Sequence, residues 1–273
     1  MNLLALLAPL MFGASLGAQA GCSRPLEVPV APIGLMVTVD QGQIGGAFVE
    51  LLQEVGRARG CQFLFEAVPR ARQEMLFLAR RADVMLPAQR TERRDPFGQH
   101  VALLQVRPTL VALRPLPAAV QSRASLLKDS NLRVVVLRGV DNGTAYLELL
   151  EQLRAQGRLV VEADTGGVVR ALREGLADAA LMNPVIVQGQ LMQMPELRGL
   201  QNQLQAQALQ DLDWHPSGFY LSLERLPEAD RQLLSQALGA LPARQRLWQL
   251  LRERYRGSLL EAGYRPLPEP PTP

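Results

Sequence analysis

A short apolar segment and the polar loop after it, residues 82–95, carry side chains suited to binding a small solute. The apolar half predicts a buried strand that opens on Asp83, and the loop runs through Gln89 to Arg93 and Arg94. A guanidinium is planar and forms paired hydrogen bonds with a carboxylate, and the Gln89 amide adds a neutral donor beside it. These residue types favour reversible binding of a polar or anionic group; the alternative is an ordinary solvated loop.

The strand half of this pattern recurs at residues 177–184, where a second strand opens on Asp178 and ends at Asn183 and Pro184. Each copy follows an amphipathic helical stretch. Open α/β sheets bind ligands at the carboxyl ends of their strands, so the two units predict two α/β lobes facing a shared cleft. Asp83 and Asp178 are interpreted as structural residues. Asn183 is either a ligand contact or a turn residue before Pro184.

A third group of candidates lies in the turn after a continuous apolar strand at 132–137. Asp141, Asn142, Gly143 and Thr144 come just before a predicted helix. Backbone N–H groups at a helix N-terminus favour an anionic or hydrogen-bonding ligand group. Asp141 has a second interpretation, in which it caps the helix without contacting a ligand.

These candidates do not form a catalytic or metal-binding constellation. Asp141 is the only carboxylate among them, so no acid–base pair is predicted. His100 and His215 are isolated from other metal-ligand residue types, and Gly139 and Gly143 lack the Lys that completes a phosphate-binding loop. We therefore expect a binding protein with no catalytic residue, no metal and no cofactor. A dehydratase or lyase on the same scaffold is the less favoured alternative.

The elements that must position these residues alternate between strands and helices. The order strand, helix, strand, helix, strand predicts a parallel sheet, with the elements at 26–30, 47–59, 61–67, 70–81 and 83–87. Prolines at 115 and 117 mark a boundary. The pattern then restarts, with elements at 132–137, 145–156, 159–162, a helix capped by Asp164 or Thr165, and 178–182. Residues 187–213 are Gln-rich and give no clear assignment, and two helices near 228–240 and 242–256 follow.

Composition excludes one class of partner. The chain has 273 residues, 48% of them hydrophobic, which is enough for two lobes with apolar cores. The net charge of +3 comes almost entirely from arginines, since Lys128 is the only lysine. Because the basic residues are scattered and aromatic residues make up only 5%, a nucleic-acid-binding groove is not expected.

The N-terminus predicts export to the periplasm. Residues 3–16 form an apolar run too short to span a bilayer, and Ala-Gln-Ala, ending at Ala20, matches a signal-peptidase site. The only cysteines are Cys22 and Cys61, and an even count in an oxidising compartment favours one disulfide. The alternative is a lipid anchor on Cys22, because residues 20–22 end like a lipobox.

Four motifs, taken in their order and spacing, resemble the periplasmic solute-binding proteins of ABC importers, in the family that includes the polar amino-acid binders. Each motif alone is short, and the resemblance covers nearly all of the chain after residue 21. The motifs are Gly46-x-x-Val49-Glu50-Leu51-Leu52, Ala82-Asp83 with Thr91-Glu92-Arg93-Arg94, Leu127-Lys128 through Arg138-Gly139, and Gly175 through Ala180.

The resemblance implies a type II periplasmic-binding-protein fold, with two α/β lobes joined by two hinge crossings near 106–112 and 214–220. It implies a monomer that captures a small polar solute, with a carboxylate-bearing one as an option, and passes it to a membrane permease. A sensing module that docks on a membrane receptor is the alternative. The implied organisation is a signal peptide at 1–20, a first lobe at 22–106 and 216–265, a second lobe at 107–215, and a loose Pro-rich tail at 266–273.

The resemblance also assigns roles within the cleft. Arg94 aligns with the Arg that binds the ligand carboxylate, and Arg70 lies in a segment that often borders the cleft. Two positions depart from the pattern: Gln89 replaces a small hydroxyl residue, and Asn183 replaces the Asp that commonly pairs with a ligand ammonium. An Asn carbonyl accepts only a neutral hydrogen bond, so we expect weak binding of cationic and zwitterionic amino acids.

Overall fold

The computed structural model describes residues 21–268 except residues 129, 198 and 256. The predicted signal peptide, residues 1–20, and the end of the Pro-rich tail, residues 269–273, lie outside the described residues. Within the described part of the chain, no helix is both long enough and apolar enough to cross a membrane.

The first α/β unit contains the cysteine pair and the first polar loop. β1 and β4 pair in parallel, as their strand–helix–strand order predicts. At the start of β5 the Asp83 amide donates to the Glu27 carbonyl of β1 over 2.9 Å. The elements are β1 (Leu26–Val30), β2 (Thr38–Asp40), β3 (Gln43–Gly45), α1 (Ala47–Arg59), β4 (Phe63–Ala67), α2 (Arg70–Leu78), β5 (Val84–Gln89) and β6 (Gly98–Val106).

The second α/β unit is built around a five-stranded sheet in the order β11-β7-β10-β8-β9. β8 pairs in parallel with both β9 and β10, whereas β7 runs antiparallel to β10. The elements are β7 (Thr109–Ala112), α3 (Arg123–Lys128), β8 (Val134–Leu137), α4 (Thr144–Ala155), β9 (Leu159–Glu162), α5 (Thr165–Arg173), β10 (Ala179–Met182), α6 (Pro184–Gln193), the 3-10 helices Pro195–Leu197 and Leu200–Gln203, and β11 (Gln205–Gln207).

The chain then returns to the first unit. The last elements are β12 (His215–Ser222), α7 (Glu228–Gly239), α8 (Leu241–Arg254), α9 (Ser258–Gly263) and β13 (Tyr264–Pro266). They complete a four-stranded sheet in the order β13-β6-β12-β5. Both neighbours of β12 run antiparallel to it, and one of them is β5. The parallel sheet expected from the first five elements is therefore limited to the β1–β4 pair. The returning strand fills the position that a further parallel strand would have taken.

Two corresponding aspartates stabilise the starts of the two units. The Asp83 carboxylate accepts the Glu27 amide of β1 at 2.7 Å. The Asp178 carboxylate accepts the Arg133 amide just before β8, also at 2.7 Å. The structural interpretation of both residues is therefore confirmed. Burial alone would raise the pKa of Asp83, but hydrogen bonds from Arg24, from the Glu27 amide and from the Arg225 side chain outweigh it and lower the pKa.

The local signals for the first helix are also confirmed. Phe48, Leu51 and Leu52 are buried on one face of α1, as their spacing predicts. The helix ends at Gly60, which adopts the left-handed conformation with φ 69°. Cys61 follows directly and forms a disulfide with Cys22, 39 residues earlier in the chain. The predicted pairing is therefore confirmed, and it anchors the start of β1 to the end of α1.

Candidate functional site

A cavity of about 50 Å³ lies between the two sheets, where the loops after β5, β8 and β10 meet. It has room for only a few water molecules. Its apolar lining includes Ile33, Met36, Met182 and Ile186. Polar residues from both units and from the returning chain also line it: Arg70, Gln89, Asp141, Asn142, Asn183, Ser217 and Tyr264.

Arg70 brings a buried cation to this cavity. It is the first residue of α2, follows Pro69, and is only 7% exposed. Its Nη1 donates to the Gln73 side chain at 2.7 Å and to the Pro87 carbonyl at 3.1 Å. Its Nε is buried without a hydrogen-bond partner among the described residues, and the described carboxylates form no ion pair with the guanidinium.

The charge of Arg70 is retained despite its burial. Desolvation lowers the pKa of the guanidinium to about 10, and the nearby positive charge of Arg94 lowers it as well, against the raising effects of Glu74 and Asp141. A pKa of about 10 still leaves the group protonated at neutral pH. A buried charge without a counter-ion is costly, so an anion that reached Arg70 would relieve an existing electrostatic penalty.

Gln89 contributes a second unsatisfied group. It ends β5, and its side-chain Oε1 is buried without a hydrogen-bond partner in the described structure. Unpaired buried polar atoms are rare in folded proteins and are often completed by a ligand or water. Ser217 of β12 lies beside it, with its Oγ donating to the Ala88 carbonyl at 3.4 Å. The first-lobe side of the cavity thus offers one unpaired donor, the Arg70 Nε, and one unpaired acceptor, the Gln89 Oε1.

The loop between β8 and α4 supplies the opposite wall. Asp141 is 6% exposed, and its Oδ1 accepts the Gly143 amide at 2.9 Å. Asn142 also lines the cavity and is 7% exposed. Gly143 and Thr144, at the start of α4, are not among the cavity-lining residues. The structure therefore places the first two members of this candidate group in the cavity and leaves the other two beside it.

Asn183 lines the cavity, but its amide group already has partners in the protein. Its Oδ1 caps α6 by accepting the Val185 amide at 3.1 Å, and its Nδ2 donates to the Gly263 carbonyl at 2.8 Å. The residue thus takes the turn role that the sequence left open. A contact with a ligand could use the remaining lone pair of Oδ1 or the second N–H of Nδ2.

Arg94 does not reach the cavity, which differs from the role that the resemblance implied. Its side chain is fully buried, at 0% exposure. The guanidinium forms an ion pair with Glu74 of α2 at 2.8 Å and also donates to the Gln89 carbonyl at 2.9 Å. The physical reason is the burial of Glu74, because a carboxylate in that position needs a cation. Arg70, from the adjacent helix start, occupies the cavity instead.

Sequence reasoning missed Ser217, Tyr264 and Met36 as cavity residues. Ser217 and Tyr264 lie on the returning strands β12 and β13. The Tyr264 hydroxyl donates to the Met36 sulfur, and burial raises its pKa. β13 pairs with β6 through Tyr264 and Val106, next to the crossing into the second unit. No spacing signal in the sequence links this C-terminal strand to the cleft.

The two units are in close contact around the cavity. A Cβ on Gly139, in the loop after β8, would lie 2.6 Å from the Cα of Ala71 in α2. On the other side, the Gln193 amide at the end of α6 donates to the Gly34 carbonyl at 3.1 Å. The structure is therefore a closed arrangement in which the cleft is reduced to a small cavity.

The crossings between the units carry an aromatic–cation stack. The chain passes between the sheets at residues 107–108 and again at 208–214. Trp214, at the second crossing, lies between two guanidinium groups: Arg107 is 4.6 Å and Arg265 is 4.5 Å from its ring centre. Such contacts stabilise by cation–π attraction. The stack connects both crossings to the C-terminal strand.

Metal-binding clusters of three or more His, Cys, Asp or Glu are absent from the described residues. His100 donates from Nε2 to the Ala88 carbonyl at 3.1 Å and packs on Tyr220. Burial lowers its pKa to about 4, so it is neutral at physiological pH. It is a partly buried structural residue of β6 in the first unit.

No protein-family model and no curated protein sequence matches the chain. Solved structures do match its fold. One is a histidine kinase sensor domain with similarity to periplasmic binding proteins, with 18% identity, a TM-score of 0.63, and coverage of 85% of this chain and 96% of that chain.

Two further matches are amino-acid-binding proteins. A mutant of the arginine-binding protein from T. maritima has 17% identity and a TM-score of 0.65, covering 84% of this chain and 94% of that chain. An amino acid ABC transporter substrate-binding protein from Streptococcus pneumoniae, bound to L-arginine, has 15% identity and a TM-score of 0.66, covering 87% and 95%. These likenesses establish the predicted fold, two α/β lobes of the type II periplasmic-binding-protein class.

Proposed function

We propose that this protein is an extracytoplasmic solute-binding protein, which captures a small polar solute between its lobes and delivers it to an ABC importer. The observation that carries the proposal is the interlobe cavity, where Arg70 and Gln89 of one lobe face Asp141 and Asn142 of the other. A site shared by two lobes couples ligand binding to their relative position. This arrangement suits a protein that must signal to a permease that it is loaded.

The mechanism is a closure of the lobes around the solute. The solute first contacts one lobe, and hinge rotation at residues 107–108 and 208–214 then brings the second set of side chains to it. The closed state gains contacts that the open state lacks, so the ligand shifts the population towards closure. Contacts such as Gly139 against Ala71 define how far closure goes.

The proposed organisation follows the two crossings. Residues 22–106 and 216–265 form the first lobe, residues 107–215 the second, and residues 1–20 the export signal. The Cys22–Cys61 disulfide supports an oxidising compartment and therefore the periplasm. We expect a monomer, because the cleft is complete within one chain.

A sensing role is the second candidate, since a histidine kinase sensor domain shares the fold. In that role the same closure would be recognised by a membrane receptor rather than by a permease. An enzymatic role has less support, because Asp141 is the only carboxylate among the cavity-lining residues and has no partner acid or base there.

The experiment that tests the proposal is a binding screen of the exported protein. Small carboxylates, amino acids, amines and polar heterocycles are screened by thermal shift, and hits are measured by calorimetry. Small-angle X-ray scattering then compares the free and loaded protein, and a ligand that binds should reduce the radius of gyration. Co-purification of the loaded protein with a permease or with a sensor kinase separates transport from signalling.

A further inference from the structure

We infer that the cleft takes a carboxylate with an apolar body, held by Arg70 at the junction of two cavities. This inference rests on the proposed function and names the solute class. The inner cavity is the polar one described above. A second cavity of about 330 Å³, here called the outer cavity, is lined by residues of both lobes, and Arg70 lines it too.

The outer cavity is apolar and is formed by both lobes. The first lobe contributes Pro32 and Val68, and the second contributes Leu137 and Ala163. Apolar surface in a cleft favours a ligand with an apolar part, since covering it removes that surface from water. A purely polar solute would leave this lining exposed when the lobes close.

Asp164, the acidic residue of the outer cavity, is already engaged. Its Oδ1 accepts the Gly167 amide at 2.7 Å as the cap of α5, and it lies 3.8 Å from Arg170. It is therefore a weak partner for a ligand cation. Arg70 contributes a positive charge with no direct ion-pair partner among the described carboxylates, although Glu74 and Asp141 partly offset it.

Arg70 has the properties of an anion-binding group. It is more than nine-tenths buried, its Nε has no partner in the described structure, and the described carboxylates leave it unpaired. The Arg94 guanidinium, by contrast, is neutralised by Glu74. A carboxylate at Arg70 would place its headgroup near Gln89, whose Nε2 can donate to it, and its apolar body in the outer cavity. Both an apolar amino acid and a simple apolar carboxylic acid have this chemistry.

The test measures binding of matched probes to the full exported protein by calorimetry. The probes are 3-phenylpropanoate, its neutral amide and L-phenylalanine, together with straight-chain carboxylates of increasing length. We expect 3-phenylpropanoate to bind at least about tenfold more tightly than the amide, because only the acid pairs with Arg70. Affinity should rise by about fourfold for each added methylene until the outer cavity is filled. A comparison of 3-phenylpropanoate with L-phenylalanine shows whether the cleft prefers a simple apolar carboxylic acid or an apolar amino acid.

Two variants and one control locate the site. Arg70→Gln should weaken 3-phenylpropanoate binding by at least about thirtyfold, whereas Arg72→Gln, two residues further along the same helix and outside both cavities, should leave it unchanged. Ala163 is exposed, so Ala163→Trp should fold normally, block the outer cavity and weaken the long carboxylates selectively. This second variant keeps the test valid if Arg70→Gln does not fold.

The outcomes separate this inference from the proposed function. If the amide binds as well as the acid, or Ala163→Trp and Arg70→Gln both retain affinity within about threefold, the inference is overturned. A different solute that binds and closes the cleft would then leave the proposed function standing. If no compound in the full screen binds or changes the scattering, both are overturned.

Discussion

The Arg94 guanidinium holds both carboxylate oxygens of Glu74. Its Nε lies 3.1 Å from each oxygen, and its Nη2 lies 2.8 Å from Oε2. Arg94 is fully buried and Glu74 nearly so. The pair joins the loop after β5 to α2, the helix that carries Arg70 at its start. Arg94 therefore affects the cleft indirectly, because its ion pair with Glu74 holds in place the helix that carries Arg70.

Arg94→Ala should therefore destabilise the protein. Removal of one partner leaves the other as an uncompensated buried charge, which costs about 3–5 kcal/mol. Chemical denaturation measures the change, and Arg93→Ala is the control because Arg93 is exposed in the same loop. The double variant Arg94→Met/Glu74→Met should recover part of the loss. If Arg94→Ala instead keeps its stability but loses carboxylate binding completely, Arg94 would be the residue that contacts the ligand.

Loss of the disulfide should also lower stability. Cys22 and Cys61 are separated by 39 residues, and closing a loop of that length stabilises by up to about 4 kcal/mol in the chain-entropy model. Cys22→Ser/Cys61→Ser, or reduction of the native protein, should lower the denaturation midpoint by a corresponding amount. Mass spectrometry of the periplasmic protein provides the direct check. A diacylated Cys22 there would contradict the pairing.

Gly139→Ala should hold the cleft partly open. The added Cβ would lie 2.6 Å from the Cα of Ala71, so the lobes could not approach as closely. Gly157→Ala is a matched control, since Gly157 also has a positive φ, 68° against 81°, and has nothing within 4 Å of an added Cβ. Scattering should show a larger radius of gyration for Gly139→Ala alone, with weaker solute binding. Identical profiles for the two variants would show that closure does not depend on this contact.

His100 should make stability depend on mildly acidic pH. Burial is the main cause that lowers its pKa to about 4 from 6.5, with Arg90 and Arg94 lowering it further and the Ala88 carbonyl and Asp95 raising it. The unfolded chain therefore binds a proton between these two values and the folded protein does not. The contribution of His100 to the free energy of unfolding is fully present above about pH 6.5. It is lost as the pH falls towards 4, which lowers the free energy of unfolding by on the order of 2–3 kcal/mol.

The substitution His100→Gln tests this effect, because a Gln amide can still donate to the Ala88 carbonyl. Its free energy of unfolding should change much less over that pH range, as measured by denaturation at a series of pH values. Asp83, with its lowered pKa, contributes a separate loss at lower pH in both proteins. An unchanged pH slope in the variant would show that His100 is already protonated in the folded state.

Much of the fold was predictable because its signals are local. The apolar spacing in α1, the Gly60 stop and the Asp164 cap depend on residues within one turn of each other. The elements that were not predicted, such as α6 and β13, lack such signals. α6 is buried on most sides and so has no amphipathic pattern, and β13 is a three-residue strand defined only by its pairing with β6.

The site was predictable at the level of loops but not of individual side chains. The sequence indicated that the loops after β5, β8 and β10 converge, and Gln89, Asp141 and Asn183 all line the cavity. It could not indicate which arginine remains unpaired. That choice depends on Glu74, a residue distant from Arg94 in the chain whose carboxylate is buried beside it by the packing of α2.

Finally, we expect weak binding of lysine, arginine and histidine. An ammonium in a closed cleft loses its water and needs an anionic acceptor. Asn183 offers a neutral oxygen that already accepts the Val185 amide, and Arg70 repels a second cation. The loss of a charge-assisted bond, about 1–2 kcal/mol, corresponds to a factor of about 5–30 in affinity.

Calorimetry checks this expectation directly, with each of the three amino acids titrated into the ligand-free protein. Sub-micromolar binding of any of them would contradict it. In that case Asp141 is the acidic residue in the cavity that could hold the ammonium, and its Oδ1 already accepts the Gly143 amide. Asp141→Asn would then reduce the affinity by about tenfold or more if this carboxylate supplies the missing charge, while carboxylates without an ammonium would be unaffected.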